Sequence, residues 1–114
     1  MIVDRRELMT SLERALLVIS DKVPTPIRCH FENNEIKFSC SGENGKFSDE
    51  MKADISGPAM EIGFKCKYLI DPLKVIDDEK VKLQMGGSLL PMKIVPLNGE
   101  QYTYLVLPVR LKQN

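Results

Sequence analysis

From Arg5 to Ile19 the apolar residues recur at helical spacing. At about 100° per residue, Leu8, Leu12, Ala15, Leu16, Ile19 and Met9 share one arc of about 120°. Met1 to Asp4 is a short extended lead, Asp4 a suitable N-cap, and Glu7, three residues on, its capping-box partner. Pro24 and Pro26 end this region. The period then drops to two. Ile27, Cys29 and Phe31 alternate with polar residues, Asn33-Asn34 turns the chain, and Ile36, Phe38 and Cys40 alternate in the next strand. After a turn at Gly42 to Gly45, Phe47, Met51, Ala53 and Ile55 form a third strand, in which Asp49 interrupts the apolar series and predicts a bulge.

Past Gly57-Pro58 the same succession begins again. Met60, Ile62 and Phe64 predict a short strand, and Cys66, Leu69, Leu73 and Ile76 one side of a helix. Val81, Leu83 and Met85 alternate, Gly86-Gly87 turns, and Met92 and Ile94 continue a strand. Asn98-Gly99 is the strongest short hairpin signal, and Tyr102 to Val109 reads as the last strand. Residues 2–56 and 60–109 are thus two βαβββ units, with Leu8 and Leu12 matching Leu69 and Leu73. The predicted class is α+β: two helices on one face and two antiparallel sheets, all in one domain.

Three places break the local pattern. Leu17 falls at about 260° on the first wheel, opposite the core arc, with Val18 at the edge of the polar face. Both a stray surface residue and a partner contact fit that placement. Tyr104 to Val109 is apolar on both faces, although Pro108 confines the strand to an edge or an end. A strand packed on both sides and a peptide-binding edge both fit; Leu89, Leu90 and Pro91 are available for the same surface. Arg6 and Arg14 on the first helix, and Lys67 and Lys74 on the second, are either a solvated face or a set of phosphate contacts.

Composition narrows the classes. The 16 Lys and Arg balance 16 Asp and Glu, which argues against nucleic-acid binding by charge alone but not against charges sorted onto one face. No apolar run is long enough to span a membrane, and the first residues lack an apolar signal core. Cys29, Cys40 and Cys66 are too widely spaced for a zinc site and read as reduced core thiols. His30, the single histidine, reads as a surface strand residue, and Asp77-Asp78-Glu79 as a solvated loop. No nucleotide-binding, hydrolase or metalloprotease motif is present, so no catalysis, cofactor or metal is expected.

Two segments carry a family resemblance. Met60-Glu61-Ile62-Gly63-Phe64-Lys65-Cys66-Lys67-Tyr68-Leu69-Ile70-Asp71-Pro72-Leu73 is similar to E-I-G-F-N-x-x-Y-L-x-D-x-L, and Tyr104 to Leu111 to Y-x-x-M-P-x-R-L. With Leu12-Glu13-Arg14-Ala15 and Ser20-Asp21-Lys22, they resemble the third, C-terminal domain of the bacterial sliding clamp, the beta subunit of DNA polymerase III. The resemblance implies a non-catalytic, cytoplasmic processivity factor. Three such domains per chain form a homodimeric ring around duplex DNA, helices inward. Polymerase III subunits, the clamp loader and other partners insert peptides into a groove.

By motif position the resemblance assigns that groove Lys65, Tyr68, Leu89, Pro91, Leu105, Leu107, Val109 and Arg110. It makes Arg6, Arg14, Lys67 and Lys74 DNA-facing, and places Leu17 and Val18 at the interface between subunits. The domain would span 1–111, with 112–114 an extension beyond the usual ending. Lys65 stands where the family has Asn. Asp71-Pro72 leaves open a helix running through it or a shorter helix that it starts. The alternative reading is a stand-alone peptide-binding adaptor of the same fold that forms no ring.

Overall fold

The lead strand of each half pairs with strands of the other half. In the computed structural model, which describes residues 1–19, 25–42 and 45–111, the order is β1 (Ile2–Asp4), α1 (Arg5–Ala15), β2 (Ile27–Glu32), β3 (Glu35–Gly42), β4 (Gly45–Lys52), β5 (Met60–Phe64), α2 (Cys66–Val75), β6 (Lys80–Met85), β7 (Met92–Val95) and β8 (Tyr104–Val106). One sheet runs β1-β6-β7-β8 and the other β4-β3-β2-β5, every pairing antiparallel. Isolated bridges Ile2↔Asp54 and Gly63↔Val109 in turn tie each lead strand to the end of its own half, just beyond β4 and β8. The expected two helices and two antiparallel sheets are present, and the exchange ties the halves into one core.

That core takes one side of each element. Phe38, Ile36 and Ile27 from one sheet, Val81, Met92 and Ile94 from the other, and Leu12 and Leu73 from the helices are essentially sealed from water. Each such side chain contributes roughly 1.5–3 kcal/mol by burial. The helices pack on each other, joined by the Cys66 Sγ–H donating to the Leu12 carbonyl at 3.0 Å.

Several expectations change. Asp4 does cap α1, accepting from the Glu7 N–H at 2.9 Å. The helix stops at Ala15 instead of Ile19, because the Leu17 and Val18 N–H groups bond three residues back and tighten the chain into a turn. Leu16, expected in the core arc, is consequently exposed. Asp49 marks no bulge: β3 and β4 pair one to one from Glu35↔Lys52 to Gly42↔Gly45. Its carboxylate accepts instead from Ser11 Oγ at 2.8 Å and Arg14 Nη1 at 3.4 Å. Pro72 lies inside α2, so the shorter helix does not form. The proline deprives only the Tyr68 carbonyl of its donor, beside an exposed side chain.

Asn98-Gly99 sits within a connection spanning 96–103, not a two-residue turn, and the last strand is confined to Tyr104–Val106. Pro96 and Pro108 bracket it without donors. The Tyr102 hydroxyl, donating to Asp78 Oδ2 at 2.7 Å, holds the preceding segment off the ladder.

Candidate functional site

β8 is the outer strand of its sheet. Val106 points inward, 2% exposed, while its neighbours Leu105 and Leu107 are 63% and 65% exposed. A side chain points to alternate faces along a strand, so the two leucines share the solvent face. Met92 pairs with Val106; continuing that register by one step sets Pro91 beside Leu107. Leu89 lies two residues earlier in the same β6–β7 connection, exposed, next to Leu90. A Cβ added at Gly86 would come within 3.0 Å of Leu90 Cδ1, so that glycine lets the loop fold closely over itself.

Beyond Pro108 the chain leaves one sheet for the other. The Val109 N–H donates to the Gly63 carbonyl at 2.8 Å. Gly63 leaves room for that approach: a Cβ would lie 2.4 Å from Leu111 Cδ2, which would have to turn aside, and 3.0 Å from the Val109 carbonyl oxygen. The close approach sets Val109 and Leu111 beside the strand that leads into α2. Lys65 is that helix's N-cap residue, with no side-chain capping bond. Its Nζ instead sits 5.3 Å from the centre of the Tyr68 ring, a cation–π contact on a half-exposed tyrosine. Val109 is half-buried and Arg110 exposed. The eight residues assigned to the groove therefore fall in two places of the fold: Leu89, Pro91, Leu105 and Leu107 on β7's two flanking segments, and Lys65, Tyr68, Val109 and Arg110 around the step from β5 into α2.

Arg6, Arg14, Lys67 and Lys74 are exposed on the two helices. Arg14 shares its charge with Asp49. The Ser11 hydrogen bond, with help from the Glu50 N–H and Arg14, holds the Asp49 carboxyl below the usual carboxylate range. Leu17 is 75% exposed and Val18 half-exposed, in the turn after α1 and not on the helix itself.

Arg5 was not singled out by sequence. It is 8% exposed, and its guanidinium donates to the Leu73 carbonyl in the last turn of α2 and to the Asp78 carbonyl, each at 2.7 Å. Its Cα lies at about 140° on the α1 wheel, inside the core arc, which was the available signal. The Asp77-Asp78-Glu79 loop is solvated at its side chains, but its backbone also anchors Arg5, whose N–H donates to the Glu79 carbonyl.

His30 lies on the outer face of β2 between Glu32 and Glu61, 3.0 and 3.3 Å away. Those carboxylates, Glu32 first, raise its pKa, while Arg28 holds Glu61 low. The three thiols are free; burial pushes Cys66 up to about 12 and Cys29 higher still, which suits inert core residues. Among the described residues no group of three His, Cys, Asp or Glu side chains could hold a metal ion, and no helix is long and apolar enough to cross a membrane.

Known proteins match this arrangement. The family model described as DNA polymerase III beta subunit, C-terminal domain, matches residues 1–110. A beta sliding clamp from Synechococcus elongatus is 31% identical over 113 residues, covering 96% of this chain and 30% of that protein. The DNA polymerase III beta subunit of Thermotoga maritima superposes with a TM-score of 0.89 at 31% identity, over 97% of this chain and 30% of that one. A Pseudomonas aeruginosa sliding clamp solved bound to griselimycin gives 0.89 at 27% identity, over 96% and 30%. The chain thus spans about a third of the length of these relatives. With a duplicated fold, an exposed apolar edge strand and a family match running from residue 1 to 110, this chain belongs to the family of C-terminal domains of the DNA polymerase III beta subunit.

Proposed function

We propose that this chain serves as a processivity domain in DNA replication, binding short apolar peptides of polymerase III, the clamp loader and other partners at its β8 edge. The observation that carries the reading is the pair Leu105 and Leu107, both well exposed on one face of an edge strand whose other face is core. Their cost in water is offset when a partner's apolar side chains cover them. Tyr68, with Lys65 folded over its ring, and the Leu89–Pro91 segment form the flanking walls, and Val109 and Arg110 the end.

In a full ring of such domains, a homodimer around duplex DNA, Arg6, Arg14, Lys67 and Lys74 face the phosphates. Four dispersed cations give weak, sequence-independent contacts, so the ring retains DNA by topology rather than affinity. Leu17 and Val18 supply an apolar contact to the neighbouring protomer. Residues 1–111 act as one domain, its work is tethering without catalysis, and its place is the bacterial cytoplasm.

The test is a titration of the 114-residue chain with a peptide carrying two apolar anchors, followed by NMR. Shifts should centre on Leu105, Leu107 and Tyr68. Leu107→Ala should weaken binding by about 1–2 kcal/mol while unfolding almost normally; Val106→Ala should destabilise the fold by about 1.5–3 kcal/mol. Shifts centred on the helices with none at Leu105 or Leu107 would overturn the assignment.

A further inference from the structure

The chain is neutral, but its two sheets do not share the charge evenly. The strands β4-β3-β2-β5 carry five carboxylates (Glu32, Glu35, Asp49, Glu50 and Glu61) against four Lys and Arg residues. The strands β1-β6-β7-β8 carry three lysines and one carboxylate, Asp4, which lies opposite Lys80 and already accepts from the Glu7 N–H as the cap of α1. Register puts the three lysines on the same solvent face. Val81 and Leu83 face the core, so Lys80, Lys82 and Gln84 face out. Gln84 pairs with Lys93, and Lys93 with Leu105. A side chain directly opposite another in an antiparallel pair lies on the same face. The exposed apolar edge therefore continues, strand by strand, from Leu105 to Lys93 to Gln84, and Lys82 and Lys80 extend the same face along β6 as a cationic platform.

We propose that this outer face selects partners in which the apolar anchors are followed or preceded by an acidic segment, the anchors covering Leu105 and Leu107 and the carboxylates lying across Lys93 and Lys82. The inference rests on the β8 edge being the peptide site and specifies the chemistry of what binds there. An acidic peptide is the occupant favoured because the lysines adjoin an apolar surface, which hydrocarbon side chains cover and a phosphate backbone does not. Three lysines on one rigid sheet face raise the local concentration of negative segments and penalise positive ones, an effect that salt screens.

The experiment uses the 114-residue chain and three labelled probes: a two-anchor peptide with a three-aspartate flank, the same peptide with asparagines, and a short DNA duplex. Fluorescence anisotropy is measured at low and high salt. The acidic peptide should bind about tenfold more tightly at roughly 0.02 M salt, an advantage that collapses toward 1 M as the screening length shrinks to about 3 Å. Lys82→Gln with Lys93→Gln should abolish that advantage and leave the asparagine peptide unchanged; Lys93→Glu should reverse it. Equal binding of the two peptides overturns the platform while leaving the apolar edge standing. Binding of neither peptide overturns the edge and the platform together. Duplex binding that is lost in the double variant makes nucleic acid the occupant and overturns the acidic-peptide assignment.

Discussion

The two halves repeat one succession of elements and differ in how far each carries its ladder. In the first, β2, β3 and β4 run six, eight and eight residues. Asn33 and Asn34, at φ 55° and 58°, make a tight turn. Asn34 then ties down the chain beyond β4, its carbonyl accepting from the Ala53 N–H at 3.0 Å and its side chain from the Ile55 N–H at 3.1 Å. In the second half, β6, β7 and β8 run six, four and three residues, joined by connections spanning 86–91 and 96–103. Leu89, Leu90, Leu105 and Leu107 are left in solvent there. Among these, β8 is the strand least held by hydrogen bonds, and it offers a partner most apolar surface. A duplicated fold can thus keep one copy closed for stability and open the other for binding, by shortening strands without altering topology.

The largest way to break this comparison is to cut the link between the halves. Arg5 starts α1 and donates to the Leu73 carbonyl of α2 and to Asp78. Arg5→Ala should cost about 3 kcal/mol, since the buried Leu73 carbonyl and the part-buried Asp78 carbonyl both lose a charged donor. Urea unfolding should show the lower midpoint in a single transition; two separated transitions would mean that the halves are independent. Asn34→Ala strikes the closed half alone. It places an alanine at a positive φ and releases Ile55, for about 1–2 kcal/mol. Hydrogen exchange should accelerate at Ala53 and Ile55 and stay unchanged in β8.

Lys65→Asn acts on the open half. It should supply the missing cap of α2 and remove a cation from a helix N-terminus, adding about 1 kcal/mol. It also frees the Tyr68 ring, so thermal stability should rise while peptide selectivity changes.

The smallest effect belongs to the outer face of the closed half. The pKa of His30 is raised in the fold, mainly by Glu32. Its contribution is therefore complete below the unfolded value near 6.5 and disappears as pH climbs through the higher folded value. Glu61 and Asp49 are lowered, so theirs is present above the ordinary carboxylate range and lost as pH falls through their folded values. His30→Gln should remove the pH dependence that sets in above the unfolded histidine value, seen in denaturation midpoints, and leave the acid limb intact.

Much of this was legible in the sequence because it depends on neighbours only. Periodicity located both helices and the alternating strands, Asn33-Asn34 marked its turn, Asp4 its cap, and the two-faced Tyr104 to Val109 segment its exposed leucines. The motifs around Lys65 and Arg110 identified the family. Where local rules compete with distant contacts, they failed. Asn98-Gly99 does lie in the hairpin between β7 and β8, but within a connection spanning 96–103 and not as a two-residue turn, where Pro96 lacks a donor and Tyr102 bonds to Asp78.

The identity of each element, and which of its faces is apolar, followed from spacing along one strand or helix and so needed nothing beyond the order of residues. Which strands meet was settled in three dimensions. The exchange of β1 and β5, the burial of Arg5 under α2, the straight register through Asp49 and the gathering of Lys80, Lys82 and Lys93 beside Leu105 all join residues remote in sequence. No local period encodes such pairings; they are selected by the shared core, whose closure satisfies all of the elements together.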